Sequence, residues 1–346
     1  MIKSFNDQLP IWLTTPGPYS DIVILTKVSL YRDLCGYNFN TKTTDEEKEE
    51  ILELLIDGIH NISEFDNILS LGELKSLEKR FLVERSFISN KEMIDGKFIG
   101  LALNKLQNNI LVLNSEEHLK ISSISPGFTI QVPFNECDRL DDELGDELDF
   151  VYDEELGFLT SSINKVGTGM EISVLIHLPA VVITGGVGNL LHVLEEHSFS
   201  IQGIFKTKDG VQGSLFKIKN EFTLGLSEEE IMEKTEEEIK KTIQMEIDAR
   251  EYLIQNVRYE TEDKIWRSYG IIKNARVLNL EDFLNLTSAV RLGVSLGFLK
   301  DINTLDLNRW MIQALPGHIR IANGDVGQER EENILRANII RKNLGG

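Results

Sequence analysis

Two glycines separated by a threonine mark the stretch of this sequence that is best suited to chemistry. In Val166-Gly167-Thr168-Gly169 the glycines let the backbone turn tightly or approach a ligand closely. An apolar segment, residues 170–178, follows, and Ser173 and His177 within it are four residues apart, so they would share one face of a helix. A loop with free backbone N–H groups that leads into a helix is a natural site for an anion. Taken alone, however, Gly-Thr-Gly more often forms a plain turn, so the surrounding residues decide its meaning.

The composition is that of an acidic globular protein. The chain has 346 residues, enough for one large domain or two smaller ones, and 41% of them are hydrophobic, which supplies a core. The formal net charge of -20 at pH 7 argues against nucleic acid, because neutralising phosphates requires clustered Lys and Arg. The same charge favours either a basic partner or simply a well-solvated surface, which is the commoner explanation.

The sequence indicates no metal site, disulfide framework or membrane segment. Two cysteines, Cys35 and Cys137, are too few for a metal quartet or a framework of disulfides. The acidic residues 135–155 lack the spacing of a calcium loop and are typical of a solvated helix face. Residues 1–15 lack the apolar core of a signal peptide, and no apolar run reaches transmembrane length. We therefore expect a cytoplasmic protein that does not bind membranes.

Strand and helix patterns surround the glycine loop. Apolar runs typical of strands lie at residues 22–26, 109–113 and 199–205. Residues 43–60 predict an amphipathic helix with Thr44 as its cap. Ser227 and Glu230 predict a capping box at the start of a long helix that ends near Asn256. Beyond that helix the pattern stays helical in shorter pieces.

The loop and its flanks resemble the signature of the ATP:guanidino phosphotransferases, which phosphorylate creatine, arginine or, in bacteria, arginine side chains of proteins. That signature reads approximately T-[SC]-C-P-[ST]-N-[VL]-G-T-G-[LM]-R-[AG]-S-V, and residues 160–174 read TSSINKVGTGMEISV. The reactive cysteine of the family aligns with Ser162, and its nucleotide-binding arginine aligns with Glu171. Further matches, such as LVERSFIS at 82–89 and WRSYG at 266–270, extend the resemblance over nearly the whole chain and towards the bacterial protein-arginine kinases.

The resemblance implies an α+β fold. Residues 1–257 would form a guanidino-phosphotransferase-like domain with a large antiparallel sheet flanked by helices, and residues 258–346 would form an all-helical domain. The helical domain mediates dimerisation in that branch, so we expect a homodimer. An apolar series in this region supports the expectation: Leu284, Leu286, Val290, Leu292, Val294 and Leu296.

The positions at which the family holds ATP carry other residues in this chain. Phosphoryl transfer depends on positive charge placed around the transferring group, and the family uses arginines for this purpose. The residues aligned with those arginines are Lys27, Ser29, Lys120, Glu171 and Gln202, and the residue aligned with an ATP-associated histidine is Ser86. A lysine offers a point charge without the bidentate fork of a guanidinium. A carboxylate at position 171 would repel a polyphosphate.

The substrate and receptor positions are kept only in part. The acid that orients the guanidinium and accepts its proton aligns with Glu116, a role that suits a carboxylate. A second substrate carboxylate of the family, carried on a mobile loop, aligns with Thr207. Near the C terminus the protein-arginine kinases carry an R-D-x-x-R-A receptor for phosphoarginine. The residues of this chain that stand there are Glu332, Asn333, Arg336 and Ala337. Arg330 and Arg341 of the same segment could attract an anion, but a solvated basic helix end is the favoured interpretation of them.

Together the substitutions favour a catalytically degenerate pseudokinase with a regulatory or arginine-binding role in protein quality control, acting on a kinase or a protease adaptor. Two alternatives stay open. An active protein-arginine kinase would use Mg-ATP and rely on Lys27 and Lys120 in place of arginines. A binding module would hold an arginine side chain of a protein partner at Glu116 without chemistry. If Lys165 neutralised Glu171, the nucleotide site would be rescued in part.

Overall fold

A large sheet forms the centre of the molecule. The computed structural model describes residues 8–65, 68–207, 210–324 and 328–344, and every side chain within those ranges except those of residues 95, 206 and 207. The strands are β1 (Val23–Arg32), β2 (Ile68–Ser70), β3 (Gly100–Leu103), β4 (Asn109–Leu113), β5 (Leu119–Pro126), β6 (Tyr152–Asp153), β7 (Gly157–Phe158), β8 (Met170–His177), β9 (Phe199–Thr207) and β10 (Gly210–Asn220). Eight of them form one antiparallel sheet in the order β2-β3-β4-β5-β1-β8-β10-β9, while β6 and β7 pair separately.

The helices fall into two groups. Those that accompany the sheet are α1 (Asp45–Ile59), α2 (Ser76–Glu84), α3 (Asn90–Asp95), α4 (Gln131–Gly145), α5 (Pro179–Ile183), α6 (Val187–Glu196) and α7 (Glu228–Asn256). Those of the C-terminal region are α8 (Arg258–Asn274), α9 (Leu280–Ser295), α10 (Thr304–Gln313), α11 (Pro316–Asn323) and α12 (Glu329–Asn343). The predicted fold class, a large antiparallel sheet flanked by helices with a helical C-terminal region, is confirmed. The division into domains at residue 257 stays a prediction.

The sheet is buried on both faces because helices cover each of them. On one face, apolar residues of α1, α4 and α7 pack against the sheet in one continuous core. On the other face, residues of α2 and α10 form a second core towards one end. The remainder of that second face carries polar and charged side chains of β1, β5, β8 and β10, which form the candidate site.

The caps predicted from the sequence are present. Thr44 accepts a hydrogen bond from the backbone N–H of Glu47 at the start of α1. Ser227 and Glu230 form a reciprocal capping box, with N···O distances of 2.8 and 3.2 Å, at the start of α7. These two helices therefore begin where side-chain chemistry alone placed them.

The segment after the glycine loop is a strand, so the helical interpretation of residues 170–178 is wrong. The β-branched residues Ile172, Val174 and Ile176 alternate with other residues and face the first core, a pattern that suits the central position of β8. Ser173 and His177 still share a face, because even spacing along a strand places side chains on one side of the sheet. The Gly-Thr-Gly loop leads into a strand and lacks the helix N terminus that would bind an anion.

The apolar series of the C-terminal region packs largely inside that region. Leu284, Val290 and Leu292 are buried in its core, and the other three members pack against the same core. Three of the six residues are therefore buried, whereas Leu286, Val294 and Leu296 remain partly exposed. Within the described residues, no helix has both the length and the apolar character needed to cross a membrane.

Candidate active site

The predicted phosphate positions meet on one face of the sheet. Ser29 of β1 lies opposite Ser122 of β5 on one side and opposite Glu171 of β8 on the other. Lys27 is two residues from Ser29 and therefore points to the same face. The side chains of Ser29 and Ser122 are joined by a hydrogen bond of 2.8 Å between their hydroxyls. The centre of this face thus holds two neutral hydroxyls that are hydrogen-bonded to each other.

Lys27 is buried beneath this face and is already bound. Its Nζ donates a hydrogen bond of 3.0 Å to the main-chain oxygen of Ser86, a residue in the left-handed region with φ 62°. Burial, together with the charges of Lys120 and Lys217, holds the pKa of Lys27 well below its usual value. Ser86, the counterpart of an ATP-associated histidine, contributes a carbonyl to this contact.

Lys120 is held by Glu92, a carboxylate that the sequence did not single out. Lys120 Nζ lies 3.3 Å from Glu92 Oε1, and the hydroxyl of Ser115 donates to the same oxygen at 3.0 Å. Burial opposes ionisation of Glu92, but the charge of Lys120, hydrogen bonds from Ser89 and the charge of Lys27 outweigh it and lower the pKa to about 2. The signal for Glu92 was its capping box with Ser89 at the start of α3.

Two lysines of β10 neutralise Glu171. Its Oε2 lies 3.0 Å from Lys219 Nζ, and its Oε1 lies 4.0 Å from Lys217 Nζ. Burial opposes ionisation of Glu171, but the charges of Lys217, Lys219 and Lys120 lower its pKa to about 2. Lys217 and Lys219 are separated by one residue, Ile218, so both point to the same face of β10. This spacing was a signal in the sequence that no motif identified.

Lys165 does not neutralise Glu171, so the predicted partial rescue is wrong. Lys165 Nζ instead lies 2.9 Å from Glu116 Oε2 and 3.7 Å from the centre of the Tyr31 ring. Glu116 is also 3.4 Å from Lys91. Its side chain is 45% exposed, so a ligand can reach the carboxylate.

A cavity of about 620 Å³ opens beside Glu116 and is rich in hydrogen-bond acceptors. Asn40 and Asn114 line it, and neither amide oxygen has a hydrogen-bond donor among the described residues. The orientation of both amides is fixed, because their nitrogens donate to main-chain oxygens of Ser115 at 2.8 Å and of Lys48 at 2.7 Å. Both amide oxygens are buried, and Lys48, Lys91 and Lys97 also line the cavity, so the partly exposed carboxylate of Glu116 is the acceptor that suits a ligand with N–H donors.

The loop that carries Ser162 rests on a buried pair of carboxyl groups. The backbone N–H groups of Ser161 and Ser162 donate to Glu117 at 2.7 and 3.2 Å. Glu117 is fully buried beside Asp33, and burial together with this neighbour raises the pKa of Asp33 to about 8. Asp33 accepts a hydrogen bond of 2.9 Å from the backbone N–H of His118. Asp33 therefore keeps its proton at neutral pH.

The last two aligned positions, Gln202 and Thr207, lie on β9, which is an edge strand of the sheet. Gln202 is exposed and stands opposite Lys217 in the register of β9 and β10, so it belongs to the same face as the lysines. Thr207 ends β9, and its side chain lies outside the part of the chain that the structure describes. Its proposed alignment with a substrate carboxylate stays a prediction.

The receptor-like positions near the C terminus are buried, and their side chains make contacts that connect neighbouring segments of the helical region. Arg336 is completely buried, and its guanidinium donates to the main-chain oxygens of Ala314 and Leu278 at 2.9 Å each and to Asn333 Oδ1 at 2.6 Å. The solvated basic helix end predicted for this segment therefore does not include Arg336.

The neighbours of Arg336 are engaged in the same way. Glu332 is buried and forms an ion pair with Arg320 of α11. Ala337 belongs to the apolar core of the C-terminal region. These contacts join α12 to α11 and leave the guanidinium of Arg336 committed to protein oxygens.

The charged groups of the cleft are already paired with partners inside the protein. Each cation named on the sheet face has a carbonyl or carboxylate partner, and a triphosphate would have to displace those partners. The residues present therefore do not fit the triphosphate of ATP as they stand. Among the residues that the structure describes, no cluster of His, Cys, Asp and Glu is suited to a metal ion.

Sequence comparisons connect this arrangement with known proteins. Residues 47–249 match the family of the ATP:guanido phosphotransferase C-terminal catalytic domain, and residues 258–346 match the protein-arginine kinase McsB C-terminal domain. The protein-arginine kinase of Geobacillus sp. (strain WCH70) is 33% identical over 347 residues, covering 99% of this chain and 96% of the relative. That of Bacillus cereus (strain G9842) is 33% identical over 348 residues, covering 99% and 98%.

Solved structures share the fold. The substrate-free duplicated taurocyamine kinase from Schistosoma mansoni superposes with a TM-score of 0.58 at 20% identity, covering 73% of this chain and 39% of that longer one. Lombricine kinase superposes with a TM-score of 0.56 at 17% identity, covering 69% of this chain and 71% of its own. Identities this low speak for the fold alone.

Proposed function

Because this chain belongs to the ATP:guanido phosphotransferase family and, within it, to the protein-arginine kinases, we propose that it is a catalytically degenerate member that binds arginine side chains of a protein partner. In this role it regulates an active kinase or a protease adaptor in protein quality control. The observation that carries the proposal is the closed charge network of the cleft, in which Glu171 faces Lys217 and Lys219.

The network opposes nucleotide binding in two ways. Lys27 and Lys120 are bound to a carbonyl and a carboxylate, so a phosphate gains their charge only after breaking those contacts. The positions of Ser29 and Gln202 supply no charge at all. Losing a single preorganised donor costs about 3–4 kcal/mol of transition-state stabilisation, so several losses together leave little rate enhancement.

The pocket beside Glu116 supports arginine binding. A guanidinium carries five N–H donors in a planar fork and no acceptor, which suits pairing with the partly exposed carboxylate of Glu116. Lys91, which is 65% exposed and 3.4 Å from Glu116, would yield the carboxylate to such a ligand, while Lys165 stays paired with it. Binding would need no nucleotide.

Calorimetry on the purified protein tests both halves of the proposal. We expect no heat of binding with Mg-ATP and a measurable heat with an arginine-rich peptide. Glu116→Gln should weaken peptide binding about tenfold, because a charge-assisted hydrogen bond contributes roughly 1.5–3 kcal/mol. Glu195→Gln, at an exposed position on α6, removes the same charge elsewhere and should leave the affinity unchanged. Tight Mg-ATP binding, or equal peptide affinity in both variants, would contradict the proposal.

An active protein-arginine kinase is the second candidate. The near full-length similarity to protein-arginine kinases favours it, as do the four lysines gathered on one sheet face. In that case Mg-ATP would be the cofactor, and arginine side chains of proteins would be the substrate. Formation of phosphoarginine from ATP on a protein substrate would decide for this candidate.

We also propose a homodimer formed through the C-terminal helices. Half of the apolar series in residues 284–296 is buried, but α8 exposes Tyr259 and Trp266 seven residues apart, on one side of the helix. Light scattering at micromolar concentration should give the mass of a dimer, and Trp266→Glu should give the monomer. A monomeric mass for the unmodified chain would exclude the dimer.

A further inference from the structure

A small cavity lies where the C-terminal helices meet the sheet. It measures about 20 Å³ and lies between β1, β8 and β10 on one side and α9 and α10 on the other. Most of its wall is apolar, but His177 of β8 and Thr287 and Arg291 of α9 also line it. All three of these side chains are more than nine-tenths buried.

Each of the three polar residues has one unpartnered atom. His177 Nδ1, Thr287 Oγ1 and Arg291 Nε are buried and have no hydrogen-bond partner among the described residues. Buried polar atoms in proteins are nearly always paired with protein or with ordered water. Three unpaired atoms around one cavity therefore have a common explanation.

The other polar atoms of two of these residues hold them in place. His177 Nε2 lies 2.8 Å from Ser288 Oγ. Arg291 donates through one Nη to the main-chain oxygen of Ser20 at 2.8 Å and through the other to Asn308. Neither side chain can turn away from the cavity without breaking these contacts.

We propose that the cavity binds one water molecule as a structural part of the junction. A volume of about 10–15 Å³ suffices for one water, which typically makes about three hydrogen bonds when buried. Its oxygen accepts from Arg291 Nε–H, and its two hydrogens go to His177 Nδ1 and Thr287 Oγ1. In this arrangement Nε2–H of His177 donates to Ser288 Oγ.

The surrounding charges favour a neutral ligand over an anion. Arg291 is accompanied by Arg250, whose guanidinium binds Asp21 at 2.7 Å and Glu246 at 2.8 Å. Two guanidinium groups and two carboxylates already balance, so a halide would add an uncompensated buried charge. Burial and both guanidinium groups lower the pKa of His177 well below its usual value, which keeps Nδ1 available as an acceptor.

The water connects the C-terminal helices to the sheet through hydrogen bonds. Through it α9 is tied to β8, the strand that also carries Glu171. The position of the C-terminal region on the sheet therefore depends on a hydrogen-bonded site as well as on apolar packing. No step of this inference depends on the proposed loss of kinase activity.

A high-resolution crystal structure of the full chain tests the site directly. We expect one density peak within hydrogen-bond distance of all three atoms, without anomalous signal after a bromide soak. An empty cavity, or a bromide signal in it, would overturn the proposal.

A pair of variants tests its contribution to stability. Thr287→Val removes one of the three contacts to the water. Thr242→Val is the matched control, because that buried hydroxyl is bonded to Glu238 O of its own helix. We expect both melting temperatures to fall by about 2 °C, because each variant gives up one hydrogen bond of a buried hydroxyl. A Thr287→Val variant that is as stable as the unmodified chain would count against the water, because valine would then have replaced an unpaired hydroxyl.

Discussion

Replacing Glu171 by arginine, the residue of the family at this position, is expected to weaken the fold without creating a nucleotide site. The new guanidinium would face Lys217 and Lys219, and both lysines would lose their carboxylate partner. Breaking a buried ion pair costs about 3–5 kcal/mol. The side chain of Glu171 is 15% exposed, so we expect a loss of about 3 kcal/mol in the free energy of unfolding, measured by chemical denaturation.

A charge swap supplies the control for this prediction. Glu171→Lys combined with Lys219→Glu keeps one pair across β8 and β10 in reversed order and should recover most of the lost stability. Calorimetry with Mg-ATP should give no heat for Glu171→Arg. A stable Glu171→Arg variant that binds Mg-ATP would contradict the idea that Glu171 and the β10 lysines act as one unit.

The pH dependence of this contribution follows from the lowered pKa of Glu171. The carboxyl has a pKa of about 2 in the folded chain and a usual value of 4.5. Its contribution is therefore complete above the usual value and is lost as the pH falls towards 2. The difference in stability between the unmodified chain and Glu171→Gln should accordingly shrink over that range of acid pH.

The elements that the sequence predicted correctly are those whose signal is local. The caps Thr44 and Ser227 lie within four residues of the groups they bind, and the run that became β1 begins with the apolar residues 22–25. The segment 170–178 was misassigned because a short apolar run with polar residues four apart is compatible with both periods. Only the pairing of β8 with β1 and β10 decided between them.

The site was predictable in its positions and not in its contacts. Alignment to the family brought Lys27, Ser29, Lys120 and Glu171 to one face, and the structure places them there. The residues that they contact could not be predicted, because a contact between two strands depends on strand order and register. Lys219 is 48 residues from Glu171 in sequence, and no local pattern connects them.

Arg336, in the last helix, is a second example of a contact that the sequence does not predict. Arg336 belongs to a strongly charged segment, EREENILRANIIRKN, which favours a solvated helix. Its guanidinium is nonetheless buried against main-chain oxygens of Ala314 and Leu278, which come from distant loops. Composition describes the average exposure of a segment and does not identify the one member that turns inward.

Replacing Asp33 by asparagine is expected to stabilise the protein at neutral and higher pH. Burial, with a hydrogen bond and the charge of Glu117 beside it, raises the pKa of Asp33 to about 8 from a usual value of 3.8. The folded chain thus keeps a proton that the unfolded chain releases, so the contribution of Asp33 to stability is fully present below pH 3.8 and is lost as the pH rises to about 8. Each unit of pKa corresponds to about 1.4 kcal/mol.

Asparagine removes this penalty and keeps the hydrogen bond from the backbone N–H of His118 to Oδ1. Its Nδ2 replaces Asp33 Oδ2, which has no hydrogen-bond partner among the described residues, and supplies a neutral donor near Glu117. We expect the free energy of unfolding of Asp33→Asn to exceed that of the unmodified chain by roughly 3–5 kcal/mol near pH 8 and to match it near pH 4. Asp33→Ala, which leaves the backbone N–H of His118 without its acceptor, should be less stable than Asp33→Asn at every pH. Parallel stability curves for the unmodified chain and Asp33→Asn between those pH values would show that the carboxyl pair under the Ser162 loop is not protonated.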